Sequence, residues 1–240
     1  MNQLKNLNHY ILTNEKIINI LNNNFYNQCN TKKKVICKSI TRENTQYFTP
    51  ELHDTLFWCF YIIHFSFEEY QLLSQSGFKE EKDFKMKFIK LLQDSKQLLK
   101  QHKLKYIILE NNIINDKKIN LTSLYALLLY YKYNAVIVVD KIYYIFQNSD
   151  EEKYSLIEYK DNNYHIHYDC KVEKIQYIKD NLVNMNPLKN CLYSPSYYKV
   201  SDLVTIYKKL ACVPFDKNGK IKKKEELYNL VKEEVANYII

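Results

Sequence analysis

Apolar and polar residues change period three times along this 240-residue chain, and each change marks a different kind of element. Residues 52–70 are strongly apolar, with the Leu56-to-Ile63 run uninterrupted, the pattern of a buried helix. Thr49-Pro50-Glu51 just ahead places proline where a first helical turn tolerates it, predicting that the helix starts there. Over residues 80–105, Phe84, Phe88, Leu91, Leu92, Leu98 and Leu99 recur at three- and four-residue steps with lysines between them. That spacing predicts one long amphipathic helix. Two shorter helices are predicted over 106–115 and 121–131, the second opened by Asn120 or Thr122. The period then shortens. Ala135-Val136-Ile137-Val138-Val139 and Ile142-Tyr143-Tyr144-Ile145-Phe146 read as strands joined by Asp140-Lys141, on length and β-branching. Residues 155–159 and 164–168 read as a second hairpin turning at Lys160-Asp161-Asn162-Asn163. A helix over 172–183 follows, and Asn186-Pro187 through Ser194-Pro195 has linker chemistry.

Beyond the linker the helical period returns twice. Val200, Leu203, Ile206, Tyr207 and Leu210 line one helix face, which Pro214 ends. Asp216-Lys217-Asn218-Gly219 is turn chemistry, and Lys220, Lys222, Lys223 and Lys224 lead into a helix with Leu227, Leu230, Val231 and Val235 on its apolar face. This helix–turn–helix segment resembles the SAP and HeH-type helix–extension–helix modules that bind nucleic acid. The resemblance lies in the Leu203/Ile206/Leu210 helix, the Gly219-Lys220 turn and the Lys224…Leu227-Tyr228…Val231 start. It implies phosphate contacts from Lys217, Lys220, Lys222, Lys223 and Lys224, with duplex DNA as the favoured partner. A helix amino terminus flanked by lysines suits an anion on physical grounds as well. The alternative is a plain helical hairpin docked on the rest of the chain with its lysines solvated; from Tyr197 onward nine Lys face only six Asp and Glu.

Composition bounds these readings. The net charge is +8, which permits polyanion binding without demanding it. Tyr occurs 23 times and Gly twice in a chain rich in Asn, Lys and Ile, a bias of AT-rich coding, so tyrosine number alone marks no base-stacking surface. Gly77 and Gly219 stand far apart and build no glycine-rich phosphate loop. The six cysteines are scattered without a C-x-x-C pair, and His53 and His64 lie eleven apart rather than four, so the sequence predicts neither a metal site nor any cofactor. Met1-Asn2-Gln3-Leu4-Lys5 lacks the apolar core of a signal peptide, and the longest apolar run is too short to span a bilayer. The expectation is a reducing, intracellular, soluble protein with no membrane partner.

One constellation in the body could carry chemistry. Cys59 lies in Leu56-Phe57-Trp58-Cys59-Phe60-Tyr61 on the predicted buried helix, and His167-Tyr168-Asp169 ends the predicted sheet. This order resembles papain-like folds, the ovarian-tumour (OTU) deubiquitinases in particular. By that resemblance Cys59 is the nucleophile, His167 the base and Asp169 its orienter, in a hydrolase of ubiquitin-type or polyprotein substrates. A thiol needs such neighbours because it is mostly protonated at neutral pH. The family places aspartate and glycine at the two positions occupied here by Leu56 and Phe57, so a degenerate, inactive relative and an inert core cysteine are the alternatives. Trp58 reads as a core anchor.

The expected fold class is α+β: a helical N-terminal half, a small antiparallel sheet, and a C-terminal helix–extension–helix module. The expected divisions are a helix and irregular connector over 1–48, the main domain over 49–185, a linker over 186–196 and the helical module over 197–240. Within 1–48, Asn14 to Leu21 reads as a capped helix, and Lys32-Lys33-Lys34 as a weak basic patch. The whole chain resembles uncharacterised proteins of nucleocytoplasmic large DNA viruses, on its Leu-Phe-Trp-Cys-Phe-Tyr helix, its α+β body and its SAP-like tail. That implies a host cytoplasm, viral factory or virion location. The leading expectation is a nucleic-acid-associated protein whose body offers a surface to a protein partner; a cysteine hydrolase is the alternative.

Overall fold

The computed structural model describes residues 47–73, 77–168, 170–188, 192–210 and 222–238. The expected helix at 14–21 and Lys32-Lys33-Lys34 lie outside the described residues. All the described residues belong to one compact unit, Gln46–Ile240.

The first strand, β1, is Tyr47–Phe48, and helix α1 is Thr55–His64. The Thr49-Pro50 start predicted for this helix is displaced by Asp54, whose carboxylate accepts the Phe57 N–H at 3.2 Å and caps the helix there. Every residue of α1 from Thr55 to Ile62 is buried, as its unbroken apolar run requires. The run does not continue as one helix. Ser66, at φ 144°, breaks it and caps a second helix, α2 (Phe67–Leu72), through its Glu69 N–H. The predicted 80–105 helix is likewise two: α3 (Gly77–Asp94) and α4 (Lys96–Gln101), parted at Ser95, whose hydroxyl donates back to the Leu91 carbonyl at 3.0 Å. Leu91, expected to face inward, is 38 % exposed. Helices α5 (Tyr106–Asn115) and α6 (Leu121–Tyr130) fall where the apolar period places them. Asn120 caps α6 through the Ser123 N–H at 2.9 Å.

Strands β2 (Ala135–Val139), β3 (Ile142–Phe146), β4 (Ser155–Lys160) and β5 (Asn163–His167) form two hairpins, each with left-handed turn residues: Asp140 in the first, Asp161 and Asn162 in the second. Helix α7 is Val172–Asn181, and a last strand, β6, is Val183–Asn184. The six strands lie in the order β1-β5-β4-β2-β3-β6. The protein is therefore α+β, but its sheet is mixed where an antiparallel one was expected: β2 runs parallel to β4, and β3 parallel to β6. Asn134, buried just before β2, anchors the link that leads to the first of these pairings. Its Oδ1 accepts the N–H groups of Asn148 (2.7 Å) and Ser149 (2.9 Å), and its Nδ2 donates to the Glu151 carbonyl (2.6 Å). These bonds fold the 147–154 link back across the start of β2, so that β4 enters beside β2 rather than beside β3.

Side chains alternate across a sheet. Ala135, Ile137, Ile157 and Ile166 join the main core with α1 and α6, whereas Val136, Tyr143 and Leu156 form a smaller core with Ile175 and Ile178 of α7. The last two helices, α8 (Val200–Lys209) and α9 (Lys224–Ala236), follow a single 3-10 turn at Pro195–Tyr197.

Candidate nucleic-acid interface

Helices α8 and α9 pack together through Leu203, Tyr207 and Leu210 against Leu227, Val231 and Val235, all buried and all part of the main core. Polar bonds fix the pair to the body. The Lys209 ammonium donates to the Lys179 carbonyl at 2.9 Å and the Leu182 carbonyl at 3.0 Å, satisfying acceptors at the carboxyl end of α7. The Lys141 ammonium does the same for α8, donating to the Leu210 carbonyl at 3.0 Å. Tyr228 donates to the Tyr193 carbonyl at 3.0 Å.

The amino end of α9 faces outward. Its N-cap is Lys223, extended at φ −62° and ψ 152°, with no side-chain bond to the first turn. An ammonium carries only hydrogens to give, so a lysine N-cap cannot satisfy the first-turn N–H groups as Ser or Asp would. Lys223 is exposed, and Lys222 and Lys224 are half-buried beside it. Glu225 and Glu226 occupy the same turn, and Lys222 approaches Glu226 at 3.9 Å. Lys217 and Lys220 lie outside the described residues.

The cysteine and histidine singled out in the body are not brought together. Cys59 is 0 % exposed, and its thiol is pushed well up, first by burial and then by the nearby Asp54 carboxylate. His167 lies on the opposite face of the sheet, because it alternates with Ile166, which shares the main core with Cys59. Both nitrogens of its ring are engaged on that face. Nε2 lies 2.9 Å from Glu158 Oε2, and Nδ1 lies 3.2 Å from the Lys174 ammonium. The His167 hydrogen bond, more than any other influence, holds the Glu158 carboxyl below its ordinary value. The sheet thus lies between Cys59 and His167, and Asp169 lies outside the described residues. The surroundings of Cys59 are those of a core cysteine. His165 and His167 share one face, as their alternation requires, but that face is covered: the two are 8 % and 7 % exposed, with the Tyr47 ring edge-on at 5.0 and 5.7 Å.

Trp58 is a core anchor, fully buried, with its indole N–H on Glu81 at 3.2 Å. Among the described residues no group of three or more His, Cys, Asp or Glu could hold a metal ion, and no helix is long and apolar enough to cross a membrane.

Patterning alone gave no reason to single out the hollow at the β6 edge, where Asn184, Tyr193, Tyr197 and Tyr198 meet. The only signal was three tyrosines around the end of the predicted linker, Tyr193 within it and Tyr197 and Tyr198 just beyond, in a chain where tyrosine is common. No family model, curated protein or solved structure matches the chain, so its function has to be argued from the site itself.

Proposed function

We propose that this chain is a nucleic-acid-associated protein that holds duplex DNA by its phosphates at the amino end of α9. One observation carries the reading: a 13-residue helix starts with a lysine in the N-cap, flanked by two more, and the Lys223 side chain makes no bond to the first turn. A phosphate oxygen supplies the acceptor that the lysine lacks, while the helix dipole and the ammonium groups supply the opposite charge. Lys217 and Lys220 stand close in sequence to extend the contact. Glu225 and Glu226 work against the anion, so the expected binding is weak and strongly salt-dependent. Phosphate contacts position a partner without reading its sequence, and little preference among duplexes is expected.

The test is charge reversal. The variant Lys222→Glu/Lys223→Glu/Lys224→Glu should lose binding to a labelled duplex at 50 mM salt while keeping the wild-type melting temperature. A folded variant that binds like wild type would remove the reading.

A second reading, a protein-interaction role for the body, also has a specific observation behind it. Helices α3 and α5 border a groove of about 250 Å³ whose walls include Phe78, Met86, Ile113 and Ile114. Phe78 is 79 % exposed, and Ile107 on α5 is 76 % exposed. Exposed apolar side chains beside a groove, here rimmed by Glu81, Lys82, Asp116 and Lys117, are a surface through which soluble domains make contacts. Phe78→Ser should then weaken capture of a partner without affecting duplex binding.

A further inference from the structure

The hollow at the sheet edge has a volume of about 170 Å³ and is walled by Tyr143, Asn184, Tyr193, Tyr197 and Tyr198, with Lys209 at its side. Two features set it apart. The first is an unmet acceptor. Asn184 is fixed by its backbone, since β6 pairs with β3 in register Tyr143↔Asn184 and the next N–H, of Met185, bonds to the Tyr143 carbonyl at 2.9 Å. Its side-chain Oδ1 is nonetheless buried without a partner among the described residues. A buried carbonyl in that state has lost water and gained nothing; Asn184 lines the hollow, and a turn of its amide toward that space would let an arriving N–H restore the bond.

The second feature is a fixed aromatic platform. Tyr197 is 65 % exposed, yet it is held in place by the Pro195–Tyr197 turn, through the Tyr197 N–H on the Ser194 carbonyl at 2.9 Å. Its ring stacks on Tyr193 with centroids 4.6 Å apart at 24°, and meets Tyr198 edge-on at 5.1 Å and 83°. Tyr198 is held in turn, because its hydroxyl accepts the Tyr193 N–H at 3.2 Å. Planar rings held ready at the surface lose little freedom when a further ring stacks on them.

The hollow also adjoins the lysine-flanked helix start. Tyr228, whose hydroxyl bonds to the Tyr193 carbonyl, follows Lys224 by four residues, or about 6 Å along the helix axis. A strand whose phosphate sits at the amino end of α9 would carry its bases past this edge.

We propose that the hollow receives one unpaired base of a single-stranded nucleic acid, stacked against the tyrosines and donating an N–H to Asn184. This rests on the nucleic-acid reading above and deepens it: the phosphate contact serves a duplex, while the hollow is reached only by an unpaired base, at a frayed end or in a single strand. Cytosine is the cleanest probe, because its exocyclic amine is its only N–H donor.

The experiment compares three 12-mers of equal charge by fluorescence anisotropy on the full chain: oligodeoxycytidine, the same strand with N4,N4-dimethylcytosine, and an abasic strand. The abasic strand should bind about tenfold more weakly than oligodeoxycytidine. The dimethylated strand should fall between the two. Tyr197→Ala, at an exposed position, should bring oligodeoxycytidine to the abasic level, and Asn184→Leu should bring it to the dimethylated level. Equal, salt-sensitive affinity for all three strands would overturn the inference and leave phosphate binding standing. No binding of any strand at 50 mM salt would overturn the inference, and a labelled duplex that also failed to bind would overturn the phosphate reading. The comparison among strands on the wild-type chain decides the matter even if Asn184→Leu fails to fold.

Discussion

The substitution Lys85→Met probes the most consequential polar cluster of the core. Asp54 is buried, and its two oxygens serve three donors: Oδ1 accepts from the Phe57 N–H at 3.2 Å, and Oδ2 from the Lys85 ammonium at 2.8 Å and the Ile119 N–H at 2.9 Å. Lys85 also reaches Glu81 at 2.6 Å, and its ammonium lies 4.9 Å from the centre of the Phe57 ring. The cluster thus ties the start of α1 to the middle of α3 and to the loop before α6. Methionine matches the length of lysine and can fill its volume, so no large cavity opens and the cost is electrostatic. Removing one partner of a buried pair strands the other charge, which costs about 3–5 kcal/mol. For a unit of this size that corresponds to a melting temperature lowered by roughly 10 °C. Chemical denaturation followed by circular dichroism gives the free energy directly. The double variant Asp54→Asn/Lys85→Met should cost less than the sum of the two single variants by about 1–3 kcal/mol, because Lys85→Met strands the Asp54 charge that Asp54→Asn removes. A loss below about 1 kcal/mol for Lys85→Met, or strict additivity in the cycle, would refute the argument that this buried pair holds the three elements together.

Three other outcomes follow from the geometry. Cys59 should resist alkylation in the native protein and react only on unfolding, as residue-resolved mass spectrometry would show; rapid native labelling would contradict its enclosure. A chain ending at Ser194 should lose its cooperative thermal transition, because it lacks Leu203, Tyr207, Leu227, Val231 and Val235 from the main core; a melt within a few degrees of the full chain would make the helical pair an independent module. Glu158 binds protons less readily folded than unfolded, so its contribution is present above the ordinary carboxyl value of 4.5 and is lost as pH falls through the lower folded value. Glu158→Gln should therefore flatten the acid limb of stability below about pH 4.5, and an unchanged limb would discount the Glu158–His167 bond.

Much of this was legible in the sequence where the signal is local. The two hairpins were readable because β-branched and aromatic runs flank residues that tolerate positive φ, such as Asp140 and Asn162. Helices α5 to α9 were readable because their apolar faces repeat over several turns. The breaks at Ser66 and Ser95 were not, since a single hydroxyl decides them and an apolar period runs across both. Two-residue strands such as β1 and β6 carry no period at all; they exist because a neighbouring strand offers them partners. The parallel pairing of β2 with β4 follows a link that the Asn134 side chain anchors from up to 17 residues away, and nothing local announces it. The candidate site divides the same way. Lys222, Lys223 and Lys224 stand together in sequence at a helix start and were legible as such. Cys59 and His167 looked like partners in chain order, but the alternation of β5 put the sheet between them. Asn184 and Tyr197 share a hollow only because β6 pairs with β3 and a 3-10 turn brings the tyrosines round to it.

The central claim is that the amino end of α9 holds phosphates, and the salt dependence of duplex binding tests it most directly. Three contacts, from Lys222, Lys223 and Lys224, predict a slope of about −2.7 in the logarithm of the binding constant against the logarithm of salt concentration. That is about a 40-fold loss between 50 and 200 mM. Lys223→Gln should reduce the slope by about one. A flat dependence, or a slope that Lys223→Gln leaves unchanged, would place any nucleic-acid contact elsewhere on the chain.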